Sequence, residues 1–175
     1  LEDRSKTNVF NKYFGGSMSG LVFQEIREFK SLAYSAWGSY RRPYYLDDTG
    51  RFEGFMGTQA DKTIDAIATY VNLLKEMPEK PLRIDGIRSG LLESLNSSKP
   101  KFRNMSLTIR GWQKQGFVID PRKTEKDVFS DIEFDDITDF YNNYIKGRPI
   151  IITIVGNKDK INMEKLADFG KVIEV

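Results

Sequence analysis

The stretch Tyr13-Phe14-Gly15-Gly16-Ser17-Met18-Ser19-Gly20-Leu21-Val22-Phe23-Gln24-Glu25-Ile26-Arg27-Glu28-Phe29-Lys30-Ser31-Leu32-Ala33-Tyr34-Ser35 changes its hydrophobic period part-way, and that change decides how the chain is built. Entering it, Val9, Phe10, Tyr13 and Phe14 recur at helical spacing. Gly15-Gly16 breaks the pattern, and Ser17 is a residue type that caps a new helix. That second helix is expected to carry Met18, Leu21, Val22 and Ile26 on one stripe and to stop near Lys30 or Ser31. From Leu32 to Tyr40 the period becomes two. Leu32, Tyr34, Ala36, Gly38 and Tyr40 then share one face of a strand, and Ala33, Ser35, Trp37 and Ser39 the other.

Working outward, Arg41 to Gly50, with Pro43, Asp47 and Asp48, reads as loop and turn. A second strand is expected from about Arg51 to Gln59, antiparallel to the first. Asp61 opens an amphipathic helix with Ile64, Ile67, Ala68, Val71 and Leu74 on its stripe, ended by Met77-Pro78. Pro81 suits the first position of the next helix, whose stripe is Ile84, Ile87, Leu91 and Leu95. Asn96 to Pro100 interrupts, and a more polar helix through Met105, Ile109 and Trp112 ends at Gly116. Residues 121–146 give one or two more, the last using Ile137, Phe140, Tyr141, Tyr144 and Ile145. Ile150-Ile-Ile-Thr-Ile-Val155 is an unbroken apolar run of the kind that forms a strand buried on both faces. Gly156-Asn157-Lys158 turns the chain, and a short helix near 162–168 and a short strand near 171–174 finish it. Helices outnumber strands, and the strands come as an adjacent pair, so the fold class is α+β with helices packed on one side of a sheet.

The 175 residues carry 27 Lys and Arg against 25 Asp and Glu, for a formal charge of +2. Together with 39% hydrophobic and 13% aromatic content, this describes one soluble globular domain over 1–175, without repeats or linkers. No run approaches the roughly 18 apolar residues of a membrane span. The absence of cysteine excludes disulfides and thiolate chemistry and leaves cytoplasm and periplasm equally open. The absence of histidine removes the usual zinc ligand and the usual base for a serine nucleophile, so the chain cannot perform most hydrolytic chemistry alone.

Several motifs have plain explanations. Gly15 to Gly20 lacks the Lys and the spacing of a phosphate-binding loop and reads as a tight interhelical turn. Asp47-Asp48 and Asp135-Asp136 lack calcium-loop spacing and read as loop and helix-start charge. Lys99, Lys101, Arg103, Arg110 and Lys114 around Trp112 read as a solvated helix face rather than a nucleic-acid surface, given the low net charge. Arg27 and Tyr34 are the chemically interesting pair. A short helix-to-strand turn places both on one rim of the sheet, where a guanidinium and a phenol can hold a peptide carbonyl or an oxyanion. The competing reading pairs Arg27 with a local carboxylate and makes Tyr34 a half-buried strand aromatic. Chemistry alone favours that one.

Tyr13 to Arg27, followed by Leu32-Ala33-Tyr34-Ser35, closely resembles the C-terminal-type domain of the insulinase/pitrilysin zinc metallopeptidases. These are the inverzincins, which include the mitochondrial processing peptidases. The likeness continues more loosely through Thr58-Gln59 and Ile150–Gly156. The resemblance implies a processing-peptidase-like α+β fold with a mostly antiparallel sheet. It also implies a place in one of two halves that close around a peptide, the opposite half bearing zinc on an inverted H-x-x-E-H. Carried over, Arg27 would grip a substrate carbonyl and Tyr34 would stabilise the oxyanion formed when zinc-bound water attacks. No cofactor is then expected in this chain, zinc being expected in a partner domain or chain. The expected partners are a peptide substrate and that zinc-bearing N-terminal half, not nucleic acid or membrane. Family domains usually begin with strand material, and only Leu1–Asn8 precedes the first helix here, so the chain is expected to be a fragment of a larger metallopeptidase, its first strand lacking. The alternative is a catalytically inactive homologue that serves as a structural or assembly subunit.

Overall fold

The structure, a computed structural model, describes residues 3–15, 18–43 and 49–174. Its elements are α1 (Asp3–Phe14), a π-helical turn (Phe23–Glu28), β1 (Ala33–Arg41), β2 (Arg51–Thr58), α2 (Thr63–Lys75), α3 (Ile84–Ser97), α4 (Met105–Lys114), α5 (Arg122–Asp131), α6 (Phe134–Tyr144) and the short α7 (Met163–Leu166). The capping role read for Ser17 and the Asp47-Asp48 pair lie outside the described residues.

α1 is the axis of the core. Its Val9, Phe10, Tyr13 and Phe14 are sealed from solvent, and the helix packs against β1, α3, α5 and α6. Phe10 stacks on Phe14 at 5.2 Å and on Phe140 of α6 at 5.0 Å, while Phe14 meets Phe52 of β2 edge-on at 5.4 Å. Each such ring contributes roughly 1.5–3 kcal/mol by leaving water. Tyr13 spends its hydroxyl on the chain after α2, donating to the Pro78 carbonyl and accepting from the Lys80 N–H at 3.1 Å. α6 enters through a capping box between Glu133 and Asp136, which explains the acidic pair read there.

β1 and β2 pair antiparallel, with Trp37 opposite Phe55, Gly38 opposite Gly54 and Tyr40 opposite Phe52. The inner face packs on the helices. A Cβ on either Gly38 or Gly54 would lie 2.3 Å from the Tyr70 hydroxyl, so these glycines make the room through which Tyr70 reaches the Trp37 carbonyl at 2.8 Å. The outer face carries Trp37 stacked on Phe55 at 6.3 Å, both open to solvent. The architecture is therefore α+β, an antiparallel sheet with its helices on one side.

Four sequence expectations change. Ile150–Val155 forms no strand, and Ile151 is 95% and Val155 97% exposed. Among the described residues the sheet contains only β1 and β2, so the run has neither a ladder nor a second layer to bury it. Residues 171–174 form no strand for the same reason. Met18 is 77% exposed, because the chain enters its helical turn only at Leu21. On α2 the buried stripe is Ala66, Ile67, Tyr70 and Leu73 rather than the one through Ile64, Ala68, Val71 and Leu74. Tyr70 sets that rotation, because its hydroxyl is anchored on β1.

Candidate functional site at the helix-to-strand rim

Residues 23–35 build the rim. The backbone underwinds here: Phe29 N–H reaches the Gln24 carbonyl at 2.8 Å, five residues back, which is the π-helical spacing. Leu21, Val22 and Ile26 hold its inner side in the core. Ser31, at φ +49°, takes the left-handed conformation that lets the chain leave the helix and start β1.

The first turn of β1 contains a bulge. Ala33 pairs with Thr58 and Ser35 with Gly57, so Tyr34 is the extra residue with no partner across the ladder. Such an insertion re-aims a side chain. Tyr34 therefore departs from the face read for it beside Ala36: Ala33 and Ala36 are buried, and Tyr34 projects from the surface, 88% exposed. Arg27 comes to the same place. Its guanidinium lies 5.8 Å from the centre of the Tyr34 ring and 4.7 Å from that of Phe23, with the side chain 43% exposed.

The two groups singled out from sequence are thus adjacent, and both face solvent. The local carboxylate of the competing reading exists: Glu28 lies 3.7 Å from Arg27 Nε. An exposed pair of that length contributes little and leaves most guanidinium donors available. The half-buried aromatic of that reading does not exist. Phe23, on whose ring Arg27 rests, was missed as part of the site, although its placement one helical turn before Arg27 is a readable signal. Behind the rim, Lys80 binds Glu25 at 2.7 Å and lies 5.6 Å over the Phe29 ring, tying the π-helical turn to the segment after α2.

The donor set does not suit a resident metal. The chain has no His or Cys, and among the described residues no three carboxylates gather in a way that could hold an ion. No described helix is long and apolar enough to cross a membrane.

Comparison with known proteins gives a consistent picture. Residues 1–85 match the family model of the peptidase M16 inactive domain. Over 103 residues the chain is 36% identical to an uncharacterized zinc protease of Rickettsia bellii (strain RML369-C), covering 58% of this chain and 24% of that protein. Over 86 residues it is 38% identical to the uncharacterized zinc protease YmxG of Bacillus subtilis (strain 168), covering 49% of this chain and 19% of that one. Matched stretches thus span a quarter or less of these curated relatives. A crystal structure of a peptidase M16 inactive domain from Pseudomonas fluorescens superposes with a TM-score of 0.62 over 83% of this chain and 35% of that one, at 14% identity, a likeness of fold.

Proposed function

As an inactive-type, C-terminal domain of the insulinase-type M16 zinc protease family, this chain, we propose, binds the peptide substrate of a zinc endopeptidase whose metal is held by another domain or chain. One observation carries the reading: Arg27 and Tyr34 stand side by side and open to solvent, on backbone whose bulge and π-helical turn direct them outward. A core or scaffold role would need neither distortion.

In this role Arg27 offers fixed N–H donors to a peptide carbonyl. Tyr34 donates its hydroxyl proton to a carbonyl oxygen that gains negative charge during bond cleavage. The guanidinium over its ring helps hold the phenol in orientation. The sheet supports an extended substrate. Tyr40 N–H and C=O are taken by Asn11, and Gly38 N–H bonds Gly15, so these residues turn their backbone away from β2. By the alternation of an antiparallel ladder, their partners Phe52 and Gly54 turn theirs away from β1, along an edge where Gly54 is exposed. A peptide can add there as a further strand.

In the complete peptidase, Tyr34→Phe should lower kcat on the order of 10²-fold, the scale of one lost oxyanion donor, with folding and zinc content unchanged. Arg27→Ala should raise KM, lower kcat, or both. Unaltered turnover in a well-folded Tyr34→Phe enzyme would remove the catalytic part of this reading and leave the domain a structural or assembly role.

A further inference from the structure

Away from the Arg27–Tyr34 rim, α4 sits over a cleft of about 620 Å³ whose walls come from α1, α3 and α5. None of the α4 residues is buried, although Thr108 and Trp112 turn toward the cleft. A second hollow of about 230 Å³ adjoins it, sharing Asn8 and Asn11 of α1 and reaching Arg41 and Arg42 at the end of β1. From this pair of clefts we infer a binding groove for an acidic peptide segment that also carries apolar side chains. The groove is independent of the Arg27–Tyr34 proposal.

Charge is the first argument. From Ser94 to Ile119 the chain has five cations, Lys99, Lys101, Arg103, Arg110 and Lys114, and no acidic residue. Lys12 and Arg4 from α1 and Arg122 from α5 face the same cleft. Against them stands Glu125, buried and bound by Arg4 and, at 3.4 Å, by Asn8. Arg122 is satisfied by Asp120 and lies over the Trp112 ring at 5.5 Å. Among the described residues neither Lys12 nor Lys99 has a carboxylate partner. Two lining cations thus remain available to carboxylates entering the groove, one from α1 and one from the chain after α3.

The remaining arguments select a peptide among anionic partners. Gln115 Oε1, in the second hollow, is buried with no hydrogen-bond partner. An orphaned acceptor needs a donor such as an N–H, which a peptide backbone supplies and a phosphodiester does not. Phe102, in the turn just before α4, and Met105 and Ile109 on α4 are exposed apolar side chains, Phe102 92% so, and would remain wet under a phosphodiester chain. A planar bilayer, in turn, cannot enter a concavity to reach Lys12 on its α1 wall.

The test is equilibrium binding to the whole protein, read by fluorescence anisotropy of a fluorescein-labelled twelve-residue peptide of repeating Glu-Glu-Leu, with a Lys-Lys-Leu peptide as control. The acidic peptide should bind, bind more weakly as NaCl rises, and lose roughly tenfold in affinity in Lys12→Gln/Lys99→Gln, two side chains outside the core. Tyr34→Phe should bind it unchanged, so a failed rim and a failed groove give different results. Binding that survives the double substitution overturns the proposal. So does binding of duplex DNA or phosphatidylserine vesicles in preference to the peptide. If the double variant unfolds, Lys99→Glu alone, at an exposed position, decides by the same measurement.

Discussion

Tyr70 and Tyr13 each commit a buried hydroxyl to a backbone carbonyl, and each makes a measurable claim. For Tyr70 the space is supplied by Gly38 and Gly54. Gly38→Ala should cost about 1–3 kcal/mol, since its methyl meets both the Tyr70 hydroxyl and, at 2.6 Å, the Phe52 ring. Tyr70→Phe should cost about 1 kcal/mol alone, yet the pair together should cost less than the sum, because removing the hydroxyl removes part of the clash. Urea unfolding of the four proteins completes the cycle. Burial pushes the Tyr13 hydroxyl up to about 12 from an ordinary 10.0, partly offset by its bond to Lys80. A group raised in the folded state contributes stability that is complete below pH 10 and lost as pH climbs toward 12. Tyr13→Phe should therefore be less stable at neutral pH but unfold less steeply with alkali. An identical alkaline slope in both proteins would defeat this assignment.

At the scale of elements, β1 depends on a helix to close its outer edge. The side-chain amide of Asn11 bonds Tyr40 on both sides, at 3.0 and 2.7 Å, in place of a neighbouring strand. Asn11→Ala should cost about 1–3 kcal/mol and should speed hydrogen exchange of the Tyr40 amide specifically. Which elements exist was largely legible in the sequence: the stripe through Phe10 and Phe14, the switch to period two after Leu32, and the Ile87 and Leu91 face of α3. Details that depend on partners were not. A π-helical turn and an α-helix give nearly the same apolar stripe over Leu21, Val22 and Ile26. The bulge at Tyr34 leaves no mark in an alternation count, because register is set across the ladder and not along the strand. Arg27 and Tyr34 were nonetheless identified together, since seven residues spanning a turn keep them on one rim whichever face the bulge selects. The face of α2 was misread because Tyr70, absent from the expected stripe, is buried and anchored on β1 by its hydroxyl.

The molecule as a whole keeps one sequence feature unused. Ile150–Val155 is exposed along most of its length, uncharged and rich in β-branched residues, on a protein whose net charge is only +2. Six such residues without proline are the composition of a steric zipper. Solutions of this polypeptide should accordingly develop thioflavin-positive fibrils at high concentration near neutral pH. Ile152→Lys should suppress them, and because Ile152 packs in no core cluster, its melting temperature should stay within about a degree or two of the parent's. Light scattering beside calorimetry separates the two effects. Handling the protein then becomes a colloidal problem before it is a folding one: its shelf life would be governed by how often two copies meet along this ribbon, and dilution would preserve it better than any ligand that tightens the core.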